Sequence, residues 1–261
     1  MPKRPPPECP PARDLLRGKC VLVTAAAGAG IGFATAKRCA EEGARVFVSD
    51  VHERRTREAV ESLGEVASEP VGHRLCDVRD DAAVRALVDA AIEEMGRIDV
   101  LVNNAGLGGD VPVVDMTDEQ WTAVQEITLG SVFRMTRAVL PHMIERRSGT
   151  IVNNASVLGW RAQKGQAHYA AAKAGVMAFT RCSALEAAEH GIRVNAVAPS
   201  LAVHPFLEKT TSRALLDELE AREAYGRGAE PWEVANVIVF LASDYASYMT
   251  GEVVAVSSQH P

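Results

Sequence analysis

Cys20-Val-Leu-Val-Thr24, followed at once by Ala25-Ala-Ala-Gly28-Ala-Gly30-Ile31-Gly32, is the stretch that decides the fold. Four apolar residues in a row, without polar alternation, predict a strand buried on both faces. Three glycines come next, and a helix is expected from about Ile31 to Glu42, ended by Gly43. A strand, a glycine turn and a helix in that order let the main chain approach a pyrophosphate. The helix start adds free N–H groups and a partial positive charge. Thr24, Gly28, Gly30, Ile31 and Gly32 are therefore expected to bind a dinucleotide.

The same rhythm continues outward. Strands are expected at Arg45–Asp50, near Arg74–Cys76, and at Asp99–Val102, Thr150–Asn153, Ile192–Val197 and Val253–Val256. Helices are expected at about Glu53–Leu63, Asp81–Met95, Glu119–Arg146 with a kink at Pro141, and His168–His190. Two further helices are expected at Ala214–Arg222 and Pro231–Ala242. Short strands alternating with helices predict an α/β fold: one doubly wound parallel sheet of about seven strands, with helices on both faces. Residues 1–17 are proline-rich and expected to form a flexible or extended tail, leaving residues 18–261 as one domain.

Composition removes several function classes. A net charge of −6 argues against a general nucleic-acid binder, which needs many cations to displace phosphate counterions. The five cysteines are odd in number and never paired as CxxC, so reduced thiols are expected and no metal. No apolar run follows the N-terminal cations, so no secretory signal is read there. The late apolar run Val237–Ala242 is too short to span a bilayer. A cytoplasmic protein that does not enter membranes is the expectation.

Asp50 closes the second strand, about twenty residues past the glycines. A carboxylate there accepts from both adenosine ribose hydroxyls and repels a 2′-phosphate, which favours NAD over NADP. Arg54 and Arg55 count the other way but lie one turn into a helix. Asp77 and Val78 follow the third strand, and Asp77 either faces the adenine or caps a helix. Asn103-Asn104-Ala105-Gly106 follows the fourth strand: amides to cross-link loops, and a glycine that permits close approach.

At the other end of the chemistry stand Ser156, Tyr169 and Lys173. Tyr169 and Lys173 share a helical face by their i,i+4 spacing. Moving a hydride to or from a carbinol carbon requires a proton to be exchanged at its oxygen. A free tyrosine, with a pKa near 10, is a poor base at neutral pH. A cation at Lys173 is expected to favour the phenolate, and a shift of about 3 units is about 4 kcal/mol. Ser156 is expected to hydrogen-bond the substrate oxygen, with Tyr169 as general acid or base. His168 points about 100° away from Tyr169 and is read as structural.

These residues resemble the short-chain dehydrogenase/reductase family from about Gly18 to Val256. The matching parts are the glycine turn at 24–32, Asp77, Asn103-Asn-Ala-Gly106, Ser156, Tyr169-xxx-Lys173, Asn195-Ala-Val-Ala-Pro199 and Thr250-Gly251. The resemblance implies a Rossmann-like domain with a substrate loop at about 200–228. It also implies a homotetramer (or homodimer) joined by the long helices, Pro199 beside the cofactor, and Lys173 on the nicotinamide ribose. Departures are Ala25 for a glycine, Thr128 for the relay asparagine, Ser200 for a glycine, His204 for a threonine, and Ser257-Ser258 for Gly-Gly.

Asn153–Gln163, Pro205–Lys209 and Ser257–Pro261 look like a bacterial subgroup that degrades steroid C and D rings. That likeness implies a secondary alcohol or ketone on an indane-type CoA thioester as the small-molecule substrate. Leu158, Trp160, Phe206 and Leu207 then line an apolar pocket or serve as core. Arg161, Lys164 and Lys209 then meet CoA phosphates or are merely solvated. Two alternatives stand beside it: an NADPH-dependent 3-oxoacyl thioester reductase, and a non-catalytic dinucleotide-binding regulator.

Overall fold

The computed structural model describes residues 4–204, 207 and 212–259; Phe206 and Lys209, expected at the substrate, lie outside the described residues. Seven strands form one sheet: β1 (Cys20–Thr24), β2 (Arg45–Asp50), β3 (Gly72–Leu75), β4 (Val100–Asn103), β5 (Gly149–Asn154), β6 (Ile192–Pro199) and β7 (Val253–Val256). Their order is β3-β2-β1-β4-β5-β6-β7, and each neighbouring pair is parallel. The expected doubly wound sheet is present. Its switch point lies between β1 and β4, where chain direction across the sheet reverses and ligands bind beyond the carboxyl ends.

Strict alternation sorts the apolar side chains into two layers. Phe47, Leu22, Leu101, Ile151 and Val194 stand side by side in register across five strands. All five join the core under α3 (Asp81–Met95), α5 (Ser131–Arg146) and α6 (Ala167–Ala188). One residue further along, Val48, Val23, Val102 and Val152 form the opposite row. They pack under α1 (Ile31–Glu41), α2 (Glu53–Gly64) and a late helix at Pro231–Ala242. This is why the strands read as unbroken apolar runs: each face has its own helical layer.

The long helix expected at Glu119–Arg146 is instead three pieces: α4 (Asp118–Gln125), a π turn at Glu126–Gly130, and α5. The break falls at the π turn, while Pro141 sits inside α5. An extra residue in one turn does not disturb apolar spacing enough to be read, and such turns cluster at functional sites. The third strand begins two residues before the expected Arg74 and stops at Leu75. Two later α-helices are α7 (Arg213–Arg222) and α8 (Pro231–Ala242).

Residues 4–19, ahead of β1, form no helix or strand but are tied down. The amides of Arg13 and Leu15 both donate to Glu42 Oε2, at 2.8 and 3.0 Å. Leu16 is fully buried in the core, two residues before the expected domain start. Among the described residues no helix is long and apolar enough to cross a membrane.

Candidate active site at the switch point

The glycine turn has the backbone its residues were expected to supply. Gly28 has φ +105°, a value that L side chains rarely adopt. Gly32 has no room for a side chain: a Cβ would stand 2.3 Å from the Ala25 carbonyl oxygen and 2.4 Å from Asn104 Nδ2. Gly30 caps α1 without any side-chain acceptor, so the helix start keeps its N–H groups for an anion. These features fit a dinucleotide pyrophosphate. Ala25 stands at φ +50°, the left-handed conformation a glycine would take at less cost.

Asp50 lies half-buried at the end of β2. Its Oδ2 accepts from the Ala27 amide at 3.2 Å, and Oδ1 from Val51 and His52 at 2.8 and 3.1 Å. The carboxylate is thus fixed against the glycine turn. Arg54 is exposed and pairs with Glu58 at 2.6 Å. Asp77 does not cap α3; Asp80 does, accepting from Ala82 and Ala83. The Asp77 carboxylate is gripped by Arg79, at 3.0 Å from Nε and 2.6 Å from Nη2, which holds it below the usual carboxylate range. Val78, next to it, packs against the α3 core layer.

Asparagines stitch the two halves together. Asn103 and Asn153 are in register on β4 and β5, and Asn103 Nδ2 donates to Asn153 Oδ1 at 2.9 Å. One residue on, Asn154 Nδ2 donates to Asn104 Oδ1 at 2.9 Å. Asn104 Nδ2 reaches back to the carbonyls of Thr24 and Ala25, at 3.2 and 3.0 Å. Thr24 is fully engaged too: its hydroxyl accepts from the Asn104 amide at 3.0 Å and donates to Val102 O at 3.3 Å. Ala105 is buried beside it, and Pro199 ends β6 on the same side of the sheet.

Ser156 follows β5 and α6 carries Tyr169 and Lys173, so strand end and helix face converge. Ser156 acts on the Tyr169 phenol, and Lys173 Nζ lies 5.5 Å from the centre of the tyrosine ring. Lys173 Nζ donates to the Asn154 carbonyl at 2.5 Å. A Cβ on Gly106 would stand 3.5 Å from that ammonium, and one on Gly108 would stand 3.7 Å from the Tyr169 ring. The loop after β4 therefore closes against both groups. Their ionisation differs from the expectation. Burial pushes the Tyr169 phenol up to about 12, and only Ser156 acts downward. Burial also pushes the Lys173 ammonium down to about 7. Among the protein's own atoms, desolvation outweighs the expected pull of ammonium on phenol.

Thr128 is buried in the π turn, where its hydroxyl accepts from the Leu107 amide at 3.0 Å and donates to the Leu107 carbonyl at 3.1 Å. It pins the loop after β4. His168 is buried against Gly109, with its Nδ1 lacking a hydrogen-bond partner among the described residues. Leu158 is half-buried, and Trp160 is 45% exposed on the loop between Ser156 and Tyr169. Asn154 was not singled out from the sequence. Its signal was the second Asn-Asn pair, one strand over from the first.

Comparison with known proteins decides the family. The family described as Enoyl-(Acyl carrier protein) reductase matches residues 25–258. The chain belongs to the short-chain dehydrogenase/reductase family. Among curated members of that family, it is 62% identical over 95% of both chains to the (5R,7aS)-5-hydroxy-7a-methyl-1-oxo-2,3,5,6,7,7a-hexahydro-1H-indene-carboxyl-CoA reductase of Mycobacterium tuberculosis. It is 43% identical to the 3-oxoacyl-[acyl-carrier-protein] reductase FabG of Thermotoga maritima, over 92% of this chain and 97% of that one. A crystal structure of a short chain dehydrogenase from Mycobacterium smegmatis superposes with a TM-score of 0.87, at 56% identity and 98% coverage of both chains. A variant of actinorhodin polyketide ketoreductase solved with NADPH superposes at 0.86, with 36% identity over 95% of this chain and 98% of that one. As a short-chain dehydrogenase/reductase the chain is an oxidoreductase with a nicotinamide-dinucleotide-binding fold.

Proposed function

We propose that this oxidoreductase moves a hydride between NAD(H) and a secondary alcohol or ketone on an alicyclic, hydroxy-indane type acyl-CoA, with Tyr169 exchanging the proton. The observation that carries this is the Tyr169 phenol, buried beside Lys173, whose Nζ lies 5.5 Å from the ring centre, with Ser156 acting to lower its pKa. The fixed carboxylate of Asp50 supports NAD, and the exposed Arg54 pairs with Glu58 on its own helix. The acyl-CoA class rests on the relative that is 62% identical.

When bound, the dinucleotide supplies or accepts the hydride. Gly28, Gly30, Ile31 and Gly32 would hold its pyrophosphate, Asp50 its adenosine ribose, and Lys173 its nicotinamide ribose. Asn104, Ala105, Gly106 and Pro199 line the same cleft. Ser156 Oγ holds the substrate oxygen. A phenol that keeps its proton up to about 12 stands ready to donate it to a ketone oxygen at neutral pH. Alcohol oxidation requires the same group without its proton and is favoured as pH rises.

Steady-state reduction of a hydroindanone acyl-CoA with NADH and with NADPH tests the cofactor and the substrate together. A preference for NADH of tenfold or more is expected; a preference for NADPH of that size would return the chain to the 3-oxoacyl reductase type. Tyr169→Phe is expected to lower kcat by about a thousandfold or more while the NADH Kd stays within severalfold. Turnover retained in that variant removes the phenol from the chemistry.

A further inference from the structure

Glu223, just beyond α7, is 5% exposed. A carboxylate so buried needs donors for its oxygens. Two of its partners come from the far end of the chain: Ser258 Oγ donates to Oε2 at 2.7 Å, and Gln259 Nε2 donates to Oε1 at 2.9 Å. The Gln259 main-chain carbonyl accepts in turn from Ser257 Oγ at 3.0 Å and from Arg161 Nη2 at 3.1 Å. Arg161 lies on the loop between Ser156 and Tyr169. One glutamine thus joins a buried acid to a guanidinium, turning an N–H to the first and a carbonyl to the second, as each charge prefers.

The N-terminal segment grips the same turn from the other direction. The Arg4 amide donates to Tyr225 O at 2.9 Å, Arg227 Nε donates to Arg4 O at 3.0 Å, and the Arg4 guanidinium lies 5.2 Å from the Tyr225 ring centre. Gly226, at φ +64°, makes the turn between them.

We propose that Glu223 is a positioning residue for the substrate side of the site. Through Ser258 and Gln259 it fixes Arg161, and so sets the loop between Ser156 and Tyr169 relative to the end of α7. The kinetic half of this proposal rests on the reaction argued above; its structural half does not.

Glu223→Ala, Gln259→Ala and the double variant test it. In each, the KM for a hydroindanone acyl-CoA is expected to rise about tenfold, the loss of one charge-assisted contact. The kcat and the NADH Kd, read by fluorescence titration, are expected to stay within about threefold. The double variant is expected to be no worse than either single one, because both cut one path. Amide hydrogen exchange should quicken over residues 157–166 and stay unchanged over the glycine turn. Should Glu223→Ala fail to fold, Ser258→Ala and removal of residues 257–261 ask the same question. Wild-type KM and exchange in these variants, or a raised KM accompanied by equal losses of kcat and NADH affinity, would overturn the proposal. If the unaltered protein reduces no ketone with either dinucleotide, the proposed reaction fails, and the exchange measurement still decides the role of Glu223.

Discussion

Lys173 shows how a single residue can oppose the stability of the fold that holds it. Its ordinary pKa is 10.5, and burial lowers it to about 7 in the folded protein. Between those values the unfolded chain binds a proton that the folded chain does not, so stability rises with pH across that window. Below about 7 both forms carry the proton and the full penalty is present. Lys173→Met removes the penalty, at the loss of the bond to Asn154. The variant should melt roughly 5 °C above its parent at pH 6.5. That gap should shrink steadily toward pH 10, as read by scanning calorimetry. An equal gap at every pH would mean that the ammonium is not desolvated.

The i,i+4 spacing made the Tyr169 and Lys173 pair readable. Its ionisation was not, because sequence reports which charges are near and not how much solvent each has lost. The Asn154 carbonyl was hidden for a related reason: a main-chain acceptor has no residue type to announce it.

At the scale of elements, the strands were legible because each carries an apolar run covered on both faces. The row Phe47, Leu22, Leu101, Ile151 and Val194 turns that pattern into packing. Leu101 stands in its middle and is fully buried. Leu101→Ala should cost about 2–5 kcal/mol through lost burial and the cavity left behind. Urea denaturation would show this as a lower midpoint at unchanged slope. A change in slope instead would mean that the sheet had loosened as a whole. Element ends were less legible. The π turn at Glu126–Gly130 adds one residue to a helix whose apolar spacing looks continuous, yet it is what brings Thr128 to Leu107.

Across the whole molecule, the general position of the site followed from strand order alone, since the glycine turn after β1 and the amide loop after β4 flank the reversal point. Contacts between remote segments could not be read from local pattern. Glu42 holding the amides of Arg13 and Leu15 is one such contact, and Glu223 holding the last residues is another. Trp121, Phe133 and Leu185, on α4, α5 and α6, are large apolar side chains that stay exposed.

The strand order also has a kinetic consequence. β1 and β4 are neighbours in space, yet α1, β2, α2, β3 and α3 lie between them in the chain. Closing so large a loop comes at an entropic cost that only the finished core repays, so such pairings form late and slowly. A nicotinamide dinucleotide therefore has nowhere to dock on a half-built intermediate. In a refolding experiment its fluorescence should lag behind the recovery of far-ultraviolet ellipticity, making the dinucleotide a reporter of the last step of assembly rather than of collapse.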